Sequence, residues 1–406
     1  NSKTDLYSMF IERALKLVLR NGYSALITMQ GWMYLSSFEK MRQDLLSYND
    51  LISVAHIGTR GFDSIGGAVV STAAFIFIKS KSKNILGSFL KLVDGRNEQE
   101  KSLAAKQISS GKTLDNLYKR KIEIFDDIPG SPIAYWASDS VINAFKNGRS
   151  IGDISAPRQG LATSDNDRFL RAWHEVSNNC IKYDAHNSDE ALESRATWFP
   201  YNKGGSFRKW FGNNDYLINW KNNGFEVIEY AKSLYGSPTR TIKNIPFYFR
   251  DSITWSALSG GKIALRNNPN GFIFDTKGQC IFFENDRDKA SVLAFLNSIV
   301  SNCFLSFLAP TLDYNSGVVA KVPFIKANLD SSLIKKCVLT EEMDWNSYET
   351  SWNFKSLPLL DSTHLTTRLD DTYRNLRDSW QEMTDEMKRL EEENNRIFID
   401  AYGLQD

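Results

Sequence analysis

Side chains suited to chemistry gather in two stretches of the chain. From 198 to 220 (WFPYNKGGSFRKWFGNNDYLINW) aromatic rings interleave with Lys203, Arg208 and Lys209. Glycine-flanked cations beside aromatic rings suit phosphate clamping and stacking on bases or sugars. Lys203, Arg208 and Lys209 are therefore candidate nucleic-acid contacts, and Tyr201 is the one aromatic added to them; the other rings fit a core. The second stretch, 154–176 (ISAPRQGLATSDNDRFLRAWHEV), begins as a polar, glycine-containing segment. Arg158, Gln159, Thr163, Asn166 and Arg168 are hydrogen-bonding side chains on what is expected to be a mobile surface. Arg and Gln are types that read guanine and adenine edges with two hydrogen bonds. Asp165 to Asp167 are expected to cap a helix over 168–176, with Phe169, Leu170 and Trp173 on one face. Arg240, Lys243, Arg250, Lys262 and Arg266 are weaker candidates, resting on charge alone.

The charge distribution supports a polyanionic partner. The net charge is +1, but 195–266 holds 11 Lys/Arg against 4 Asp/Glu, and 341–395 holds 14 acidic residues against 6 basic. A basic middle and an acidic end suggest that the middle meets a polyanion. The chain of 406 residues, 42% hydrophobic and 24% charged, has the composition of a soluble globular protein of two or three domains. No run approaches the ~20 apolar residues of a membrane span, so no membrane partner is expected. The four cysteines, Cys180, Cys280, Cys303 and Cys337, form no C-x-x-C pair, which suggests neither zinc nor a disulfide framework and fits the cytoplasm. The four histidines are isolated and suit packing or solvated roles. Gly111-Lys112-Thr113 lacks the earlier glycine of a phosphate loop, since Lys106 stands there. The first residue is Asn1, and a helix is expected almost at once, so a piece of a longer polypeptide is expected.

These residues must be held by elements that the spacing also indicates. Apolar residues at Tyr7, Phe10, Ala14, Leu17 and Val18 predict a helix over 5–20. A strand at 23–30, a helix at 36–49, a strand at 51–58 and a strand at 69–79 follow. The linker 59–68 is too short for a crossover helix, so the last two strands should pair antiparallel. Residues 80–150 read as an insertion. Short apolar runs at 245–249, 253–258, 262–265, 271–275 and 280–283, separated by Gly/Asn/Asp turns, predict a mostly β module, with a helical run at 291–309. Leu369, Tyr373, Leu376, Trp380, Met383, Met387 and Leu390 alternate steps of four and three, a heptad seam on a long helix at 366–398.

The order helix, strand, helix, strand, glycine-rich loop, antiparallel strand resembles the closing half of the sheet in S-adenosylmethionine-dependent methyltransferases. The strings DLYSMFIERALKLVLRNGYSALITMQGWMYLSSFEKMRQDLL and HIGTRGFDSIGGAVVSTAAF resemble the PglX adenine-specific DNA methyltransferases of BREX phage-defence systems. The likeness continues through RQGLATSDNDRFLRAWHEV, YNKGGSFRKWFGN, DWNSYETSWNF and EEENNRIFIDAYGL. It implies an α/β plus α+β architecture: residues 1–150 the end of a Rossmann-like methyltransferase sheet, 151–330 a mostly β, TaqI-like target-recognition domain, and 331–406 a long-helix region. It also implies a glycine-rich cofactor loop and an Asn-Pro-Pro-Tyr motif, neither of which occurs in these residues. The cofactor S-adenosylmethionine would be bound mainly by sequence upstream of Asn1.

By resemblance, Phe62 in Gly61-Phe62-Asp63-Ser64-Ile65-Gly66-Gly67 takes the position of an aromatic that packs on the extruded adenine. Such packing offsets part of the unstacking cost, about a few kcal/mol; a core Phe folding the loop down is the alternative. The exocyclic amine would then take the methyl group by direct displacement. Double-stranded DNA, other BREX proteins and phage DNA-mimic inhibitors are the implied partners. A fused restriction-modification enzyme and a non-catalytic DNA-specificity subunit are the competing functions.

Overall fold

A computed structural model describes residues 5–65, 70–82, 84–285, 287–309 and 313–405. Gly66, Gly67 and the start of the expected strand at 69 lie outside the described residues. The structure divides into two compact units, Asn1–Asn147 and Gly148–Asp406.

The first unit is built on a five-stranded sheet in the order β1 (Tyr23–Met29), β3 (Thr72–Ile78), β2 (Asp50–Gly58), β4 (Leu86–Lys91), β5 (Leu117–Lys121). The late strand β3 lies antiparallel between β1 and β2, pairing Leu26 with Phe75 on one side and Val54 with Phe75 on the other. The antiparallel pairing expected for these two strands is the one observed, with residues 59–71 between them. Residues 80–150 are less of an insertion than expected, because β4 runs parallel to β2 and β5 antiparallel to β4, extending the same sheet. Helices Leu6–Leu17 and Glu39–Tyr48 bring Ile11, Leu15, Met41 and Leu45 to a core with Trp32, Phe75, Phe77, Phe89 and Tyr135.

The second unit holds a short strand pair, β6 (Arg149–Ser150) with β15 (Pro323–Phe324), and two four-stranded sheets. One sheet runs β13 (Ile273–Phe274), β9 (Trp198–Asn202), β10 (Tyr216–Asn219), β8 (Leu170–Ala172). The other runs β12 (Leu265–Asn268), β11 (Ser252–Ser256), β14 (Gly278–Phe282), β7 (Ala156–Arg158). The stretch 331–406 does not separate from this unit: its helices Ser331–Asn346 and Leu369–Tyr402 pack on each other and on the 289–308 helices.

Three expected elements differ, each for a local reason. The helix expected over 168–176 is a single turn, Asn166–Phe169, after which Leu170–Ala172 pairs antiparallel with β10; strand pairing overrides the helical spacing. Residues 245–249 form a 3-10 turn, Ile245–Phe247, entered through Asn244 in the left-handed region and carrying Pro246. The run 291–309 is two helices, Lys289–Leu296 and Ile299–Leu308, bent by 73°. The break is built by Asn297, whose amide satisfies both Leu265 N (2.9 Å) and Leu265 O (3.0 Å), and by Ser298, which caps the second helix. Among the described residues no single helix is long and apolar enough to cross a membrane.

Candidate nucleic-acid interface

In the first unit, Phe62 follows the end of β2 and is half-buried. A turn closes just behind it, Ile65 N donating to Phe62 O at 3.1 Å. The loop is held from the helix Glu98–Ser109: Asp63 N donates to Glu98 Oε2 and Glu98 N to Asp63 Oδ1, both at 3.2 Å. From the same helix, the buried Lys101 ammonium donates to Ile57 O (2.8 Å), Leu92 O (2.8 Å) and Val93 O (3.4 Å), fixing the ends of β2 and β4 together. Beside them His56 is sandwiched between Tyr135 Oη on Nδ1 and Gln30 Oε1 on Nε2, each at 2.9 Å. Burial, with the nearby Lys101 and Lys91 charges, lowers its pKa to about 4, so the ring is neutral at physiological pH. The sequence placed His56 in a strand with a packing or solvated role; Lys101 carried no signal in a stretch read only as an insertion.

In the second unit the 154–176 segment is tied down rather than mobile. Gly160 N donates to Asp275 O, Leu161 N to Phe274 O and Thr276 N to Leu161 O. At Gly160 any side chain would collide with the Phe274 carbonyl, so the close approach requires glycine. Arg158 sits in β7 with its guanidinium 5.2 Å over the Phe247 ring. Gln159 is half-buried, and its carbonyl accepts from Asn244 Nδ2 at 2.8 Å. Asp165 caps the helical turn by accepting from Arg168 N. Thr163 is buried and donates to Asn166 Oδ1 at 2.7 Å. Asn166 and Arg168 are exposed; Arg168 is already engaged, with Nη2 2.5 Å and Nε 3.2 Å from Glu226 Oε1, and lies over the Phe169 and Tyr230 rings.

The 198–220 stretch departs further from expectation. Tyr201 is fully buried and its hydroxyl donates to Asp275 Oδ2 at 2.7 Å, so its ring is not offered to a base. Burial together with the Asp275 charge raises its pKa well above the ordinary value. Arg208 forks onto Asp344 (2.9 Å from Nη2, 3.1 Å from Nη1), reaches Glu341 (3.3 Å) and lies over the Trp345 ring. Lys209 pairs with Glu391 at 3.0 Å. Part of the basic surplus of the middle is thus neutralised by the acidic end of the same chain, and Arg208 and Lys209 are engaged in a clasp with it. Burial pushes the Glu341 carboxyl up to about 7, against the lowering effect of Arg208 and with Asp344 and Glu391 adding to the rise. Lys203 alone of the four candidates here points elsewhere, its ammonium 5.1 Å over the Tyr216 ring.

A family model for the Eco57I restriction-modification methylase matches residues 1–62. Along its whole length the chain is 39% identical to an adenine-specific methyltransferase PglX of Lacticaseibacillus casei (strain Zhang) and 35% identical to an adenine-specific methyltransferase BrxX of Escherichia coli O9:H4 (strain HS). It spans 34% and 32% of those two proteins, about a third of the length of the curated relatives it matches. Its fold is similar to that of the Type IIL restriction-modification enzyme MmeI, solved in complex with DNA. That similarity has a TM-score of 0.50 at 13% identity and covers 98% of this chain and 52% of MmeI.

Proposed function

We propose that this chain, related along its whole length to the PglX and BrxX adenine-specific methyltransferases, is the part of such an enzyme that recognises DNA and backs the active site. The observation that carries the reading is that full-length identity, 39% and 35% with no stretch of the chain left out. In this reading the first unit is the end of a methyltransferase sheet, supported by β3 lying antiparallel between β1 and β2. The second unit is a TaqI-like target-recognition module with its clamping helices. Phe62 packs on an adenine swung out of the duplex, and Arg158, Gln159, Asn166, Arg168 and Lys203 contact DNA, Arg168 by exchanging Glu226 for a phosphate or base edge. The resemblance to the methyltransferases of BREX phage-defence systems makes other defence proteins and phage-encoded DNA mimics the expected partners.

The methyl donor does not fit the residues in hand. The sequence contains neither a glycine-rich donor loop nor an Asn-Pro-Pro-Tyr string, the nearest being Asn267-Asn268-Pro269-Asn270 in the second unit. No methyl-transfer step is therefore assigned to these side chains; their part is to bind, extrude and hold the base. The test is single-molecule methylation mapping of a host carrying the full-length gene, with and without its neighbouring defence genes. N6-methyladenine on one strand of a short asymmetric site is expected, and an unmodified genome in both strains would overturn the reading.

A further inference from the structure

Tyr201, the ring that the sequence singled out, is buried, and so are Phe199, Trp210, Phe211 and Trp220. The ring of the 198–220 stretch that the fold leaves most bare is Phe207, 60% exposed. A single exposed phenylalanine is ordinary on a protein surface. What sets this one apart is how it is held and what surrounds it.

The loop that carries the ring is fixed on both sides of it. Ser256 Oγ donates to Gly205 O at 3.0 Å, Asn213 Nδ2 donates to Ser206 O at 2.9 Å, and Arg208 is forked onto Asp344. Gly205, at φ +148°, passes so close to Asn213 that a Cβ would sit 2.8 Å from its Nδ2, so this close approach requires glycine. The ring therefore projects from braced backbone. It lines a cleft of about 180 Å³ together with Leu258, itself 56% exposed, and Lys262. No carboxylate lines the cleft.

Two more cations flank it. The Lys277 carbonyl accepts from Ala257 N at 2.7 Å, beside Leu258, and a Cβ on Gly204 would lie 3.3 Å from the same oxygen. Lys203 directly precedes Gly204. Among the described residues Lys203, Lys262 and Lys277 make no ion pair, whereas Arg208 and Lys209 are engaged by Asp344 and Glu391. Two bare apolar side chains among three unneutralised cations match a polyanion that also offers apolar faces. In paired DNA those faces are covered by stacking, so an apolar side chain reaches them only at a step that has been opened.

We propose that Phe207, with Leu258 beside it, is a wedge that enters the duplex at an opened base step, and that Lys203, Lys262 and Lys277 hold the flanking phosphates. DNA as the occupant rests on the reading under Proposed function, which does not itself require a wedge.

The experiment uses the full-length enzyme and a duplex carrying the site found by methylation mapping. Wild type, Phe207→Ala, Phe207→Tyr and Lys262→Ala are compared for duplex affinity across a salt series; Phe207 and Lys262 are exposed, so the core is intact in each. Opened steps are located with permanganate at thymines and hydroxylamine at cytosines, which together cover every base pair. Phe207→Ala should bind about tenfold more weakly, the scale of one lost stacking partner. Its slope of log K against log salt should be unchanged, because no charge is removed, whereas Lys262→Ala should make that slope shallower by roughly 0.9. Wild type should show an opened step whose reactivity falls in Phe207→Ala and is kept in Phe207→Tyr. Unchanged affinity in Phe207→Ala, or a reactivity pattern that does not change with it, would overturn the wedge and leave DNA binding standing. Wild type that fails to bind duplex at low salt would overturn the DNA reading, and the wedge with it.

Discussion

The indole N–H of Trp210 donates to Glu391 Oε1 at 2.8 Å across 181 positions of sequence, while Lys209, one residue earlier, holds the other oxygen of the same carboxylate at 3.0 Å. Trp210 is fully buried. One acidic side chain on the long helix thus answers both a buried neutral donor and a cation from the 198–220 stretch.

Removing that acceptor should be felt as lost stability. Glu391→Ala leaves a buried indole N–H unpaired, at a cost of about 1–3 kcal/mol. Glu391→Gln keeps an acceptor for the indole and should lose less. In a urea-denaturation double-mutant cycle, Lys209→Ala and Glu391→Ala should be coupled, the second change costing less once the first is made. Strict additivity would mean that the pair is a surface contact without energetic consequence.

The clasp also carries a pH dependence. Glu341 has its pKa raised from 4.5 to about 7 by burial. A group raised in the folded state favours folding fully below its unfolded pKa, and that contribution is lost as pH rises through the folded value. Between about pH 4.5 and 7 the stability contributed at this site should therefore fall, despite Arg208 nearby. Glu341→Gln should flatten that slope in denaturation curves taken from pH 5 to 8. An unchanged slope would show that Glu341 is ionised throughout.

How far the sequence foretold this arrangement depends on the range of the forces involved. The β2–β3 reversal was legible because the short linker expected at 59–68 admits few geometries, although β3 begins later, at Thr72. The long helix was legible because Leu369 to Leu390 repeat regularly, and Leu376 and Leu390 are its buried seam positions. Leu170–Ala172 misled because Phe169, Leu170 and Trp173 also fit a helical face, and the deciding partner, Tyr216–Ile218, is over forty residues away. Charge misled in the same way. Composition located the surplus around Arg208 and Lys209, but only the folded chain brings Glu341, Asp344 and Glu391 to meet it. Arg266 was visible only as one more positive residue, since its burial leaves no mark on the string.

His56 should dominate the acid limb of the first unit. Its folded pKa of about 4 lies below the ordinary 6.5, so its contribution is complete above pH 6.5 and is lost as pH falls toward 4. The full swing corresponds to about 3 kcal/mol. His56→Gln, which cannot titrate, should weaken the protein at pH 7 while flattening stability between pH 6.5 and 4. If the variant retains the wild-type acid slope, other groups carry it.

Phe62 offers the sharpest kinetic test. The loop that bears it is anchored by the reciprocal Asp63–Glu98 hydrogen bonds and by Lys101, so truncating the ring leaves the loop's ties intact. In the full-length enzyme, Phe62→Ala should slow methylation at saturating DNA by roughly tenfold or more, the worth of about 1–3 kcal/mol of base–aromatic stacking. Duplex affinity should change little, because the proposed backbone and base contacts lie on other residues. Phe62→Tyr should restore most of the rate by restoring a stacking face. A 2-aminopurine placed at the target position should report the same order, its fluorescence rising less in Phe62→Ala than in wild type as the extruded base loses its resting place. Equal losses in binding and turnover, or no rescue by tyrosine, would return Phe62 to the role of a side chain that merely folds its loop.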